Sequence, residues 1–141
     1  MTAWRWLQRQ RWLSHWLPLL VWMALIFYLS AQPDLPNPET GFLAELLSSG
    51  AHVLVFGVLA FLWLRVLGGR RHAWLLAWTL TMLYALSDEF HQAFVPHRHS
   101  DPWDLLCDGL GAVLALLLWA WWRRWRAGRR AAGSAGAVSD F

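Results

Sequence analysis

The chain has 141 residues, of which 57% are hydrophobic, with thirteen tryptophans and a mean hydropathy of +0.32. That balance exceeds what a soluble domain of this length needs to build a core, and it points to a membrane protein. The net charge of +3 is carried wholly by arginine, but the arginines flank apolar runs, so a nucleic-acid partner is excluded in favour of a bilayer.

The first apolar run extends from Leu13 to Leu29 and is preceded by Arg5, Arg9 and Arg11. A helix rises about 1.5 Å per residue and the hydrocarbon core is about 30 Å thick, so about 20 residues cross it. This run is close to that length. Basic residues ahead of an apolar stretch, followed by Ser30-Ala31-Gln32, also fit a cleaved leader, but the run is long and tryptophan-rich for one. The loop that follows carries Asp34, Glu39 and Glu45. The second run, Ala51 to Leu67, holds His52 near its start and ends at Arg65, Arg70 and Arg71.

A third run extends from Ala73 to Leu86, which is too short to cross alone. We expect its helix to continue through Ser87-Asp88-Glu89-Phe90-His91-Gln92, which puts Asp88, His91 and Gln92 on one face. The next loop holds His97, Arg98 and His99. A fourth run, Leu105 to Trp122, is entered through Asp101-Pro102, an arrangement suited to a helix start, and Asp101, Asp104 and Asp108 form a stripe that Gly111 continues. Arg123, Arg124, Arg126, Arg129 and Arg130 follow it. The fold expected is all-α and polytopic, with about four transmembrane helices. Residues 1–126 form the membrane domain and 127–141 an Ala/Gly/Ser-rich disordered tail.

Arginine-rich segments stay in the cytoplasm. Both termini are therefore expected inside, with the loops after the first and third spans outside. His52, Asp88, Glu89, His91, Gln92, Asp104 and Asp108 would then share one depth at the outer edge of the hydrocarbon. Charged groups there are costly unless they turn inward and find partners. Carboxylates and imidazoles so gathered can hold a divalent ion or work as an acid–base pair, and the sequence does not choose a metal or any other cofactor. Asp88, His91, Glu89 and Asp104 are the candidate catalytic groups. Arg98, Gln92, His52 and Asp108 are candidate binding groups, with Arg98 as contact for an anion. Three readings follow: a protein acting on a membrane lipid or lipid-linked envelope precursor, a non-enzymatic module whose polar cluster fastens helices, and a small transporter. The inner halves of the spans offer a transporter little beyond Thr79 and Thr81.

The run Asp88-Glu89-Phe90-His91-Gln92-Ala93-Phe94-Val95-Pro96-His97-Arg98, with Asp104 and Gly109-Leu110-Gly111-Ala112 after it, resembles the VanZ-like family of small bacterial membrane proteins, named after a teicoplanin-resistance protein. Leu29-Ser30-Ala31-Gln32-Pro33 and His52 with Phe56 and Gly57 extend the likeness over roughly Trp22 to Ala115. The chain departs from the family pattern at His97 (often Gly), Asp108 (commonly Asn), Phe56 (commonly Tyr) and Ser48–Ala51 (often containing a basic residue). The resemblance implies a place in the bacterial inner membrane at the cell envelope. For some members it implies raised tolerance to lipid-anchored glycopeptides. It implies no particular reaction.

Overall fold

A computed structural model describes the backbone of residues 3–33, 42–96, 98 and 100–138, and the side chains of 10, 12–33, 48–96, 98 and 100–130. The side chains of Arg5, Arg9, Arg11, Asp34, Glu39, Glu45, His97 and His99 lie outside that set. The described chain forms four helices and, among the described residues, no strand: α1 (Ala3–Ser30), α2 (Phe42–Leu67), α3 (Ala73–Gln92) and α4 (Pro102–Val138). Stretches Trp12–Ser30, Ser48–Leu67 and Pro102–Arg130 are long and apolar enough to cross a membrane. Helix α3 has 20 residues, and its last turns carry the expected Asp88, Glu89, His91 and Gln92.

The helices alternate in direction. Trp16 meets Trp63, and Trp22 Nε1 donates to the Val55 carbonyl at 3.0 Å, so α1 and α2 run antiparallel. Glu89 meets Asp101, while Gly109 lies beside Met82, which makes α3 and α4 antiparallel as well. Helices α2 and α4 run parallel, with His52 against Asp108 and Phe61 against Trp119. One end of the bundle therefore gathers Arg65, Arg70, Arg71 and the arginines of α4, and the other gathers His52, Asp88, Glu89, Asp104 and Asp108.

Small residues set the spacing. Ala60, Ala73, Ala77 and Ala112 are buried together with Leu64, Leu67 and Leu116, where α2, α3 and α4 meet. In lipid, where apolar burial no longer drives association, such residues let backbones pack closely. The closest approach is between α2 and α4. A Cβ added to Gly111 would overlap the Val53 carbonyl, and one added to Gly57 would lie 3.0 Å from the Gly111 carbonyl oxygen. A second cluster joins Leu19 and Ile26 of α1 to Phe56, Leu59 and Leu62 of α2 and Ala85 of α3. Outward-facing Leu20, Val21, Leu54, Leu75, Leu118 and Trp121 are all exposed, an apolar surface suited to acyl chains rather than water.

Two polar side chains in the wall find partners nearby. Thr81, fully buried, donates to the Ala77 carbonyl of its own helix at 2.8 Å. Tyr84 donates to the Met23 carbonyl at 2.7 Å and ties α3 to α1, which otherwise touch little. We expect Tyr84→Phe to cost about 1 kcal/mol, the usual range for a hydrogen bond between helices in a membrane. Thermal unfolding in detergent reads this, and an unchanged midpoint would show that the bond adds nothing.

One boundary follows the sequence reading, with α2 ending at Leu67 and α3 starting at Ala73, and one departs from it. Between α2 and α3, Gly69 takes a positive φ of 90°, which permits the tight turn that also holds Arg70. After Arg126, where the sequence reading expects a disordered tail from residue 127, α4 continues to Val138. Alanine and arginine are among the better helix formers, and no proline follows Pro102 to stop the helix. At about 1.5 Å per residue its 37 residues make a helix longer than a bilayer core is thick.

Candidate functional site

The polar end is built on the α2–α4 crossing. Because Gly57 and Gly111 let the two backbones touch, residues one to two turns closer to the polar end are held side by side: His52 on α2, Asp104 and Asp108 on α4. His52 Nδ1 lies 2.9 Å from Asp108 Oδ1, and His52 Nε2 lies 3.6 Å from Asp104 Oδ2. An ionised Asp108 can only accept, and in that state the short contact requires the proton on Nδ1. Nε2 then faces Asp104 either as a lone pair against a carboxylate or, when doubly protonated, as half of an ion pair. Phe56 stacks in parallel on the imidazole, with ring centroids 6.1 Å apart.

Helix α3 supplies the third side. Glu89 is 5% exposed, and its Oε2 accepts the Asp101 backbone N–H at 2.9 Å just before α4 begins. Asp101 itself is an N-cap: its Oδ1 accepts from the Trp103 N–H at 2.8 Å, and Pro102 occupies the first helical position. Asp101 is exposed. One ligand atom each from His52, Glu89 and Asp104 lie within 4.8 Å of one another, a grouping that could hold a metal ion.

Asp88 and Gln92 form an adjoining pair. Both are buried, and Gln92 Nε2 donates to Asp88 Oδ2 at 3.1 Å, one helical turn apart. They border a cavity of about 140 Å³ together with His52 and Arg98 on the polar side and Ile26, Leu29, Val55 and Phe56 on the apolar side. Ser30, also at its edge, returns its hydroxyl to the Ile26 carbonyl at 2.8 Å.

The site residues expected from sequence do not all share one point. His52, Glu89, Asp104 and Asp108 converge, with Asp88 and Gln92 beside them. His91 does not join them. Its ring stacks on Phe27 of α1, centroids 4.6 Å apart, although it rides on the same helix as Asp88. Arg98, expected as an anion contact, spends Nε on the Gln32 carbonyl at 3.2 Å and Nη2 on the Leu29 carbonyl at 3.5 Å, at the C-terminal end of α1. It still borders the cavity, and three of its five N–H donors remain beyond those two bonds. Val55, Ile26 and Ala51 were not singled out by sequence reading, since apolar residues in apolar helices carry no mark of what they line.

Charge is uneven here. Among the described residues, Asp88 Oδ1, Glu89 Oε1 and Asp108 Oδ2 are buried acceptors that find no hydrogen-bond partner. Four carboxylates stand near one imidazole, and the one arginine beside them is engaged with α1. A buried carboxylate without a partner is among the more costly groups a fold can carry, more so near lipid.

Comparison with known families gives a match to the VanZ/LLP1 family over residues 15–123, most of the chain and all of the site. No curated protein and no solved structure matches the chain.

Proposed function

The chain belongs to the VanZ/LLP1 family, and we propose from that premise that it is a bacterial inner-membrane protein whose outward-facing polar site engages a lipid head group or lipid-linked envelope precursor. In this reading α3 is a fourth span, and the arginine-rich end lies in the cytoplasm by the positive-inside rule, with both termini there. The polar end then sits at the outer interface.

The observation that carries the proposal is the cavity bordered by α1, α2 and the end of α3. An apolar wall of Ile26, Leu29, Val55 and Phe56 ends at His52, Asp88, Gln92 and Arg98. An amphiphile has this same division, with a chain for the wall and a head for the rim. Arg98 contributes the planar cation that suits a phosphate or carboxylate head. Through that contact the protein would raise tolerance to a lipid-anchored glycopeptide such as teicoplanin.

The test is to reconstitute the full chain in vesicles containing a phospholipid with a photoreactive acyl chain. Cross-links should fall on residues of this cavity, and Ala51→Trp, which fills its mouth, should abolish them without shifting the unfolding midpoint. The same variant should lose any glycopeptide tolerance conferred on a sensitive host. Cross-linking that Ala51→Trp leaves intact rejects the reading.

A second reading, that the polar groups only fasten helices, is favoured by the bonds of Glu89 to Asp101 and of Arg98 to the end of α1. It expects Arg98→Ala to lower the unfolding midpoint and to leave cross-linking per folded molecule unchanged. Transport is disfavoured. Among the described residues Thr81 is the buried polar residue outside the polar end, satisfied within its own helix, and the buried Trp63 Nε1 has no hydrogen-bond partner, so these groups form no connected polar path across the bundle.

A further inference from the structure

We propose that His52, Glu89 and Asp104 form a binding site for a first-row divalent cation of the Zn2+ or Mn2+ class, oriented from behind by Asp108 and by the start of α4. The inference rests on the geometry of these groups alone and does not require the lipid reading.

The ligand atoms are suitably placed. His52 Nε2 and Asp104 Oδ2 are 3.6 Å apart, a separation that two ligand bonds of about 2.0–2.2 Å to one ion can span. Glu89 brings a third ligand atom within 4.8 Å of the others, a gap that a small shift of its side chain closes to the reach of two such bonds. One imidazole with two carboxylates is a borderline-to-hard set, which suits Zn2+ or Mn2+ better than soft ions.

The ligands are also held in place. With Asp108 ionised, the 2.9 Å contact to its Oδ1 holds the His52 proton on Nδ1, the tautomer that turns the Nε2 lone pair toward Asp104. A carboxylate behind the imidazole is the usual outer partner of a metal-bound histidine. Glu89 Oε2 is fixed by the Asp101 N–H at 2.9 Å.

An independent observation points to a ligand. Glu89 is 5% exposed, yet its Oε1 has no hydrogen-bond partner, and neither has Oδ2 of Asp108, which is 1% exposed. A cation among the three ligands gives Glu89 Oε1 the positive charge that its burial lacks. His52 and Asp104 keep 16% and 21% of their side chains accessible, so an ion can enter from the polar end.

The test uses the full chain purified in detergent, stripped with a chelator and dialysed against Zn2+ or Mn2+. We expect one ion per chain and a raised unfolding midpoint. Glu89→Gln and Asp104→Asn should each weaken binding at least tenfold, while Asp101→Asn, outside the ligand set, should not. Asp108→Asn retains an acceptor for Nδ1 and should bind better than Asp108→Leu, which should lose about 10–100-fold. Should the ligand variants fail to fold, the wild-type chain still decides: electron spin-echo spectra of bound Mn2+ must show coupling to an imidazole nitrogen. Folded wild-type protein that takes up no stoichiometric ion, Mn2+ bound without nitrogen coupling, or equal binding by wild type and both ligand variants overturns the proposal.

Discussion

Replacing Gly111 with alanine will remove most of the folded protein from the membrane. The added Cβ would overlap the Val53 carbonyl, which is backbone and cannot turn aside as a side chain can. The α2 and α4 backbones must separate, and every contact between His52 and α4 separates with them. Overpacking of a tight interior costs about 1–3 kcal/mol when side chains can yield, so a backbone collision should cost about 3 kcal/mol or more. Gly128 is the control: a Cβ there meets nothing, and Gly128→Ala in the same helix should be neutral or stabilise by up to about 1 kcal/mol. Membrane abundance and the thermal midpoint in detergent read both variants. If the two behave alike, close packing at Gly111 does not hold the bundle.

His52→Leu should destabilise the chain by about 3–5 kcal/mol, because it leaves Asp108, 1% exposed, as a buried acid stripped of its partner. Removing both groups should cost less than the sum of the two single changes. The double variant His52→Leu/Asp108→Leu should therefore recover about 1–3 kcal/mol relative to additivity. Unfolding free energies for the four proteins of this cycle are the measurement. Strict additivity would mean that the 2.9 Å contact carries no coupling.

Much of the architecture is legible in the chain because its causes are local. Apolar runs bounded by arginine fix where helices lie, and Asp101-Pro102 fixes where α4 begins, down to the capping bond to Trp103. The extension of α3 to Gln92 follows from the shortness of its apolar run. The end of α4 is not legible, since a polar Ala/Gly/Ser/Arg segment reads alike as coil or as projecting helix.

The site is legible in depth but not in direction. Sequence places seven polar residues at one level, yet the azimuth of each helix decides who meets whom. His52 turns to α4 because Gly57 and Gly111 bring those backbones together, an event visible only as small residues in two distant segments. His91 shares a helix with Asp88 but faces Phe27. Arg98 is drawn to the carbonyl end of α1, where its charge also meets the negative pole of the helix dipole. The Asp104–Asp108–Gly111 stripe, read from spacing, does face α2, but nothing in spacing marks the turn of His91 or of Arg98.

The direct test is a solid-state NMR distance in lipid bilayers, between nitrogen-15 at His52 Nδ1 and carbon-13 at the Asp108 carboxyl. Convergence of charged groups from separate helices requires the dipolar dephasing of atoms in hydrogen-bond contact, as the 2.9 Å separation demands, and its disappearance in Asp108→Asn made without the label. Wild-type protein that is folded, in bilayers, and shows no dephasing above the Asp108→Asn background would contradict it.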